Sequence, residues 1–144
     1  MGTLTRVAAS KAGRRRRANG LRVVRVGDRN LGTTQTPGLR RETGIDARLV
    51  GAKNLWMGFV EMDPGAECGP HHHGKSESGV YLLRGPCRFR FGENLEQSID
   101  ASEGDFVYVP PFAVHQEINL SSEEPAAFVV VRDSPENIVV PMGS

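Results

Sequence analysis

Cysteine is scarce in this 144-residue chain, with Cys68 and Cys87 the only two. Two thiols cannot build a disulfide framework, so reduced thiols and a cytoplasmic location are expected. No run of about eighteen apolar residues occurs, and nothing is long enough to span a membrane as a helix. An apolar signal-peptide core near the N-terminus is also missing. No stretch keeps a helical hydrophobic period over about twelve residues, which argues against a helical fold. There is no internal repeat, so one domain is expected and not two. Acidic residues are absent from the first 20 positions, which carry Arg6, Lys11 and Arg14–Arg17. The rest of the chain then holds 12 basic and 17 acidic residues, a balance of −5 within an overall +1. That mildly acidic body, with no recognisable helix-turn-helix, argues against nucleic acid as a partner.

What is abundant is chain punctuation. Seventeen glycines and nine prolines interrupt the sequence at short intervals and favour many short strands. Residues 1–20 read as a disordered basic tail. It is either a tether or targeting segment, or a solvated extension or early start codon. Residues 21–45 read as an arm, with a first strand at Leu21–Val26 and a loop over 27–45. Residues 46–140 read as the barrel. Its expected strands include Leu55–Met62, Gly79–Leu83, Cys87–Phe91, Leu95–Ala101, Asp105–Val109, Val114–Asn119, Ala126–Arg132 and Asn137–Val140. About nine short strands at this spacing indicate an all-β sandwich or barrel.

Three of the four histidines are consecutive, His71, His72 and His73, and the fourth is His115. Imidazole is the commonest protein metal ligand because its neutral nitrogen is available near neutral pH. On a strand, positions i and i+2 share a face, so His71 and His73 can converge on one ion while His72 points away. A third ligand must then come from another strand. His115 follows the extended run Asp105–Val109 and the Pro110-Pro111 pair, which lacks backbone donors and pins the chain direction.

The stretch from Gly65 through His71, His73, Glu77 and Gly85 resembles the first cupin motif, G-x5-H-x-H-x(3,4)-E-x6-G. The stretch Gly104 to His115 and Asn119 resembles the second, G-x5-P-x-G-x2-H-x3-N. With their flanking strands the two motifs cover about residues 46–132. The resemblance implies a single-domain double-stranded β-helix, the cupin jelly-roll barrel. It also implies a metal in the barrel mouth on His71, His73 and His115, and a homodimer.

Two positions depart from the pattern. Counting forward from His73 gives the glutamate place to Glu77, whereas counting back from Gly85 gives it to Ser78. Both hold only with a one-residue bulge, and Glu77 is taken as the fourth ligand or its support. Phe112 stands where the family usually has glycine.

Such a site leaves open coordination positions, which is what separates a catalytic metal from a structural one. The expected cofactor is one divalent cation: Fe, Zn, Mn or Ni. The expected partner is a small-molecule substrate with oxygen donors. The reaction is that of a dioxygenase or of a non-redox isomerase, lyase or cyclase. A non-catalytic binding or sensing barrel is the alternative. Glu117, on the same strand face as His115, and Tyr108 are the candidate catalytic residues. Trp56 and Tyr81 are read as core packing, Arg88 and Arg90 as outward charges, and Cys68 as a buried small hydrophobe.

Overall fold

The computed structural model describes residues 20–143, so the basic tail lies outside the described residues apart from Gly20. Among the described residues ten strands carry the fold: β1 (Arg40–Ile45), β2 (Trp56–Met62), β3 (His71–His72), β4 (Ser78–Arg84) and β5 (Cys87–Phe91), followed by β6 (Gln97–Ala101), β7 (Phe106–Val109), β8 (His115–Asn119), β9 (Ala126–Arg132) and β10 (Val140–Pro141). The only helical elements among the described residues are a 3-10 turn at Val26–Asp28 and the single turn α1 (Ala47–Val50). Asp46 caps α1 by accepting from the Leu49 amide at 2.7 Å.

Two five-stranded antiparallel sheets face each other, in the orders β1-β2-β9-β4-β7 and β10-β3-β8-β5-β6. This is the double-stranded β-helix, a jelly roll. Its interior changes character along the barrel. In the first sheet Trp56, Arg132 and Ser78 pair across β2, β9 and β4 in one row. The next inward rows bring Val130 with Val80, then Val60, Phe128 and Leu82, and finally Met62 and Ala126. In the second sheet Cys87 and Phe89 fill the matching depth. The floor is therefore closed by apolar side chains, and the layer above it is polar.

Two differences from the sequence reading stand out. Leu21–Arg25 forms no strand and is mostly exposed. The expected loop over 27–45 ends in β1, which pairs with β2 from Arg40↔Glu61 to Ile45↔Met57. β1 escaped notice because its inward positions are polar. Arg41 and Thr43 are 2% and 0% exposed, so the usual apolar alternation is inverted. Gly38 makes the bend that feeds β1. Its φ is 93°, and a Cβ there would run into the Glu67 carbonyl, so only glycine fits.

Phe112 occupies the family's glycine place with φ of 60°. Its ring is mostly exposed, so little packing compensates for the left-handed backbone. Phe112→Gly is expected to be more stable than Phe112→Ala by roughly 1 kcal/mol in urea unfolding, the reverse of the order at an ordinary position. An alanine variant of equal or greater stability would refute the strain.

Candidate metal centre

The register of two short strands assembles the site. β3 and β8 meet at His71↔His115. His73 lies two residues beyond His71 and returns to the same side. All three rings are buried, with exposures of 0%, 4% and 5% for His71, His73 and His115. Their centroids stand 4.5 to 5.2 Å apart. His72 faces the other way, half-buried, and its Nδ1 accepts from the Gly74 amide at 3.0 Å.

Each ring is held by its Nδ1. His71 Nδ1 lies 2.8 Å from the Gly69 carbonyl, His73 Nδ1 2.7 Å from that of Ile138, and His115 Nδ1 2.8 Å from that of Ala113. A carbonyl cannot donate, so each Nδ1 carries the hydrogen. All three Nε2 atoms are thereby left facing the shared interior. Ligand atoms of the three rings lie within 4.8 Å of one another, close enough for one ion.

A carboxylate stands beside them. Glu117 Oε1 is 3.0 Å from His115 Nε2 and 3.6 Å from His71 Nε2. Its other oxygen accepts from the Cys68 thiol at 3.4 Å, while Cys68 Sγ accepts the Glu117 amide at 3.1 Å. Burial alone would raise the Glu117 carboxyl, but His71, His115 and Arg41 outweigh it and hold the group well below the usual carboxylate range. Burial pulls His71 down to about 4. Burial, reinforced by Arg132, pulls His73 down to about 2. Both are therefore neutral near pH 7. Burial would lower His115 as well, yet the adjoining Glu117 carboxylate overrides it and holds the imidazole above its ordinary value. A cation on His115 Nε2 would compete with the Glu117 contact for that nitrogen.

Two guanidinium groups complete the layer. Arg41 is clasped through its backbone by Gln35, which accepts from the Arg41 amide at 2.7 Å and donates to its carbonyl at 2.9 Å. Arg41 Nη1 donates to Thr36 Oγ1 at 2.8 Å, and its Nη2 reaches His71 Nε2 at 3.4 Å. Arg132 Nη2 donates to His73 Nε2 at 3.1 Å, and its guanidinium lies over the Trp56 ring at 4.6 Å. Burial, then repulsion from Arg41, pushes Arg132 down to about 9, which leaves it cationic at neutral pH. With these side chains in place the cavity is about 10 Å³, room for one water-sized body.

Of the residues singled out in the sequence, the structure brings together His71, His73, His115 and Glu117. Glu77 and Tyr108 do not join them. Alternation on β7 turns Val107 and Val109 inward and leaves Tyr108 62% exposed. The Tyr108 hydroxyl donates to Glu77 Oε1 at 3.0 Å on the outer surface. Ser78 is the inward neighbour of Glu77, buried on β4, whose register shift falls further along, between Leu82 and Arg84. Tyr81 also faces outward, and Arg88 pairs with Asp100 on the surface. Arg41 and Arg132 were missed as site residues. Arg132 was within reach, since Phe128, Val130 and Arg132 share one face of β9 by simple alternation.

Both thiols are buried. Burial, with Glu117 adding to it, pushes Cys68 far up and Cys87 up to about 11. Neither is expected to react with iodoacetamide at neutral pH in the folded protein, and both are expected to react in denaturant, read as mass shifts. Labelling of either thiol in the native state would contradict this burial.

Among the described residues no helix is long and apolar enough to cross a membrane. No curated protein matches this chain. The fold resembles the oxalate decarboxylase of Lactobacillus farciminis in its formate complex, at 23% identity and a TM-score of 0.67, covering 78% of this chain and 33% of that one. This chain thus spans about a third of the oxalate decarboxylase it matches. The polyketide cyclase RemF from Streptomyces resistomycificus matches over 86% of this chain and 87% of its own, at 17% identity and a TM-score of 0.67. Oxalate oxidase in complex with glycolate matches at 21% identity and a TM-score of 0.64, covering 78% and 60% of the two chains. At these identities the likeness speaks for the fold. The family model described as "Cupin domain" matches residues 58–132, a span running from β2 through both histidine motifs to Arg132, and the chain belongs to the cupin family.

Proposed function

We propose that this protein is a metal-dependent cupin enzyme acting on a small oxygen-donor molecule at the polar layer of the barrel. The observation that carries the reading is the set of three buried imidazoles, each fixed through Nδ1–H so that its Nε2 faces one centre. The donor set fits a divalent cation. His71, His73 and His115 would hold it, with Glu117 as the adjoining carboxylate in place of Glu77. Nitrogen and carboxylate donors of this kind suit Fe, Zn, Mn or Ni. Such a cation supplies Lewis acidity or, as iron, oxygen chemistry. The chain itself positions the imidazoles, keeps two of them unprotonated, and offers Glu117 as a proton acceptor.

The structures it resembles include named redox and non-redox enzymes, an oxalate oxidase and a polyketide cyclase. Metal analysis of the natively purified protein, with oxygen uptake, separates the two classes. Iron with uptake supports a dioxygenase, and zinc without it an isomerase, lyase or cyclase. The second reading, a non-catalytic binding barrel, draws on the small cavity. Manganese-loaded protein that fails to enhance water proton relaxation would have no open coordination position, and the enzyme reading would fall. A homodimer is supported by the exposed apolar outer face at Phe106, Leu83 and Tyr108, and light scattering measures it directly.

A further inference from the structure

We propose that Arg132 and Ser78 form a seat for a carboxylate inside the barrel, so that the molecule this protein takes is a small organic anion. The inference deepens the metal-centre reading, which says what lies beside the anion, but its donors belong to the chain alone.

Ser78 and Arg132 are direct partners across β4 and β9, and both are 3% exposed. Arg132 Nε, Arg132 Nη1 and Ser78 Oγ are buried without a hydrogen-bond partner. Buried polar groups are nearly always satisfied, and three orphans on two adjacent inward side chains mark a missing ligand. The Trp56 ring covers one face of the guanidinium. A partner must therefore come to its edge, where the N–H groups lie in plane. A planar carboxylate matches that edge in shape and in charge.

Charge balance points the same way. Arg41 and Arg132 face Glu117, which among the described residues is the one acidic side chain lining this cavity, so even with His115 neutral one positive charge is left over. A divalent cation on the histidines would add two more. A neutral ligand leaves all of this uncompensated in a dry interior. The guanidinium groups also hold N–H donors in reserve. Arg132 Nη2 lies on the Nε2 of His73, and Arg41 Nη2 on that of His71. One lone pair cannot serve both an N–H and a cation, so a cation releases both donors for an anion beside it. The small cavity favours the smallest carboxylates over bulkier phosphate esters.

Formate and its neutral isostere formamide are the probes, titrated calorimetrically into the full chain, both zinc-loaded and chelator-treated. Formate is expected to bind and formamide to bind at least about tenfold more weakly. Arg132→Gln is expected to weaken formate by roughly 10- to 100-fold while keeping zinc, and Ser78→Ala to weaken it less. Equal binding of the two probes, no binding of either, or unchanged formate affinity in Arg132→Gln overturns the proposal. If the protein holds no zinc, the metal-centre reading falls, and the formate–formamide comparison on the metal-free chain still decides this one. If Arg132→Gln does not fold, that comparison and Ser78→Ala decide it.

Discussion

Replacing His115 by alanine is expected to abolish divalent-cation binding at the proposed centre while leaving the barrel folded. His115 is the one histidine of the three that comes from the second motif, and its partner across the sheet is His71. Without it, His71 on the two-residue β3 and His73 just beyond that strand offer two nitrogens, with no third imidazole facing them. Loss of a group that merely supports a ligand lowers metal affinity by about 10- to 100-fold, so loss of a ligand should exceed about 100-fold. Zinc titration against a competing chelator measures this. Thermal unfolding gives a second reading, because zinc at about 1,000 times its Kd stabilises the native state by about 4 kcal/mol. The unaltered chain should show that rise in Tm and His115→Ala should not. A variant that retains zinc with unchanged affinity would remove the three-imidazole centre from consideration.

The outline of this centre was legible from residue spacing because strand geometry is simple. Period two puts His71 and His73 on one face, and the same rule puts Glu117 with His115. The strands of the apolar floor were equally clear. Cys87–Phe91 and Ala126–Arg132 were expected with the bounds they have, since Phe89, Phe128 and Val130 alternate with outward residues. The polar layer broke the rule that reads strands from apolar alternation. In β1 the buried residues are Arg41 and Thr43, so a barrel strand looked like loop. The choice between Glu77 and Ser78 failed for a different reason. Motif spacing counts residues, whereas entry to the barrel depends on which way the pleat faces at the start of β4. There Ser78 points in and Glu77 reaches Tyr108 outside. Phe112 is a case where the family's glycine signals backbone shape, and the shape persists with a φ of 60° although the glycine does not.

Glu117→Gln is expected to be the most destabilising of the isosteric changes in the metal-free protein. The carboxylate is 4% exposed and, among the described residues, is the only acidic side chain lining a cavity that also holds Arg41 and Arg132. Both guanidinium groups are buried to 2–3% exposure. An amide keeps the volume and can still accept from the Cys68 thiol, so packing changes little. What is lost is the negative charge that compensates two buried cations. Removing one partner of a buried ionic group typically costs about 3–5 kcal/mol, because the opposite charge is stranded. Urea unfolding should show a lower midpoint with an unchanged slope. The complementary change tests the cause. Arg132→Met removes a cation that has two nitrogens without partners, and replacing both members of a buried ion pair by uncharged side chains of similar volume is often neutral or stabilising by about 1–4 kcal/mol. Placed on the Glu117→Gln background, it should recover part of the lost stability, giving a coupling between the two sites well above the additive limit. An unfolding midpoint for Glu117→Gln equal to that of the unaltered chain would mean that water reaches this layer and screens it. The dry, charge-unbalanced interior on which the anion seat depends would then not exist.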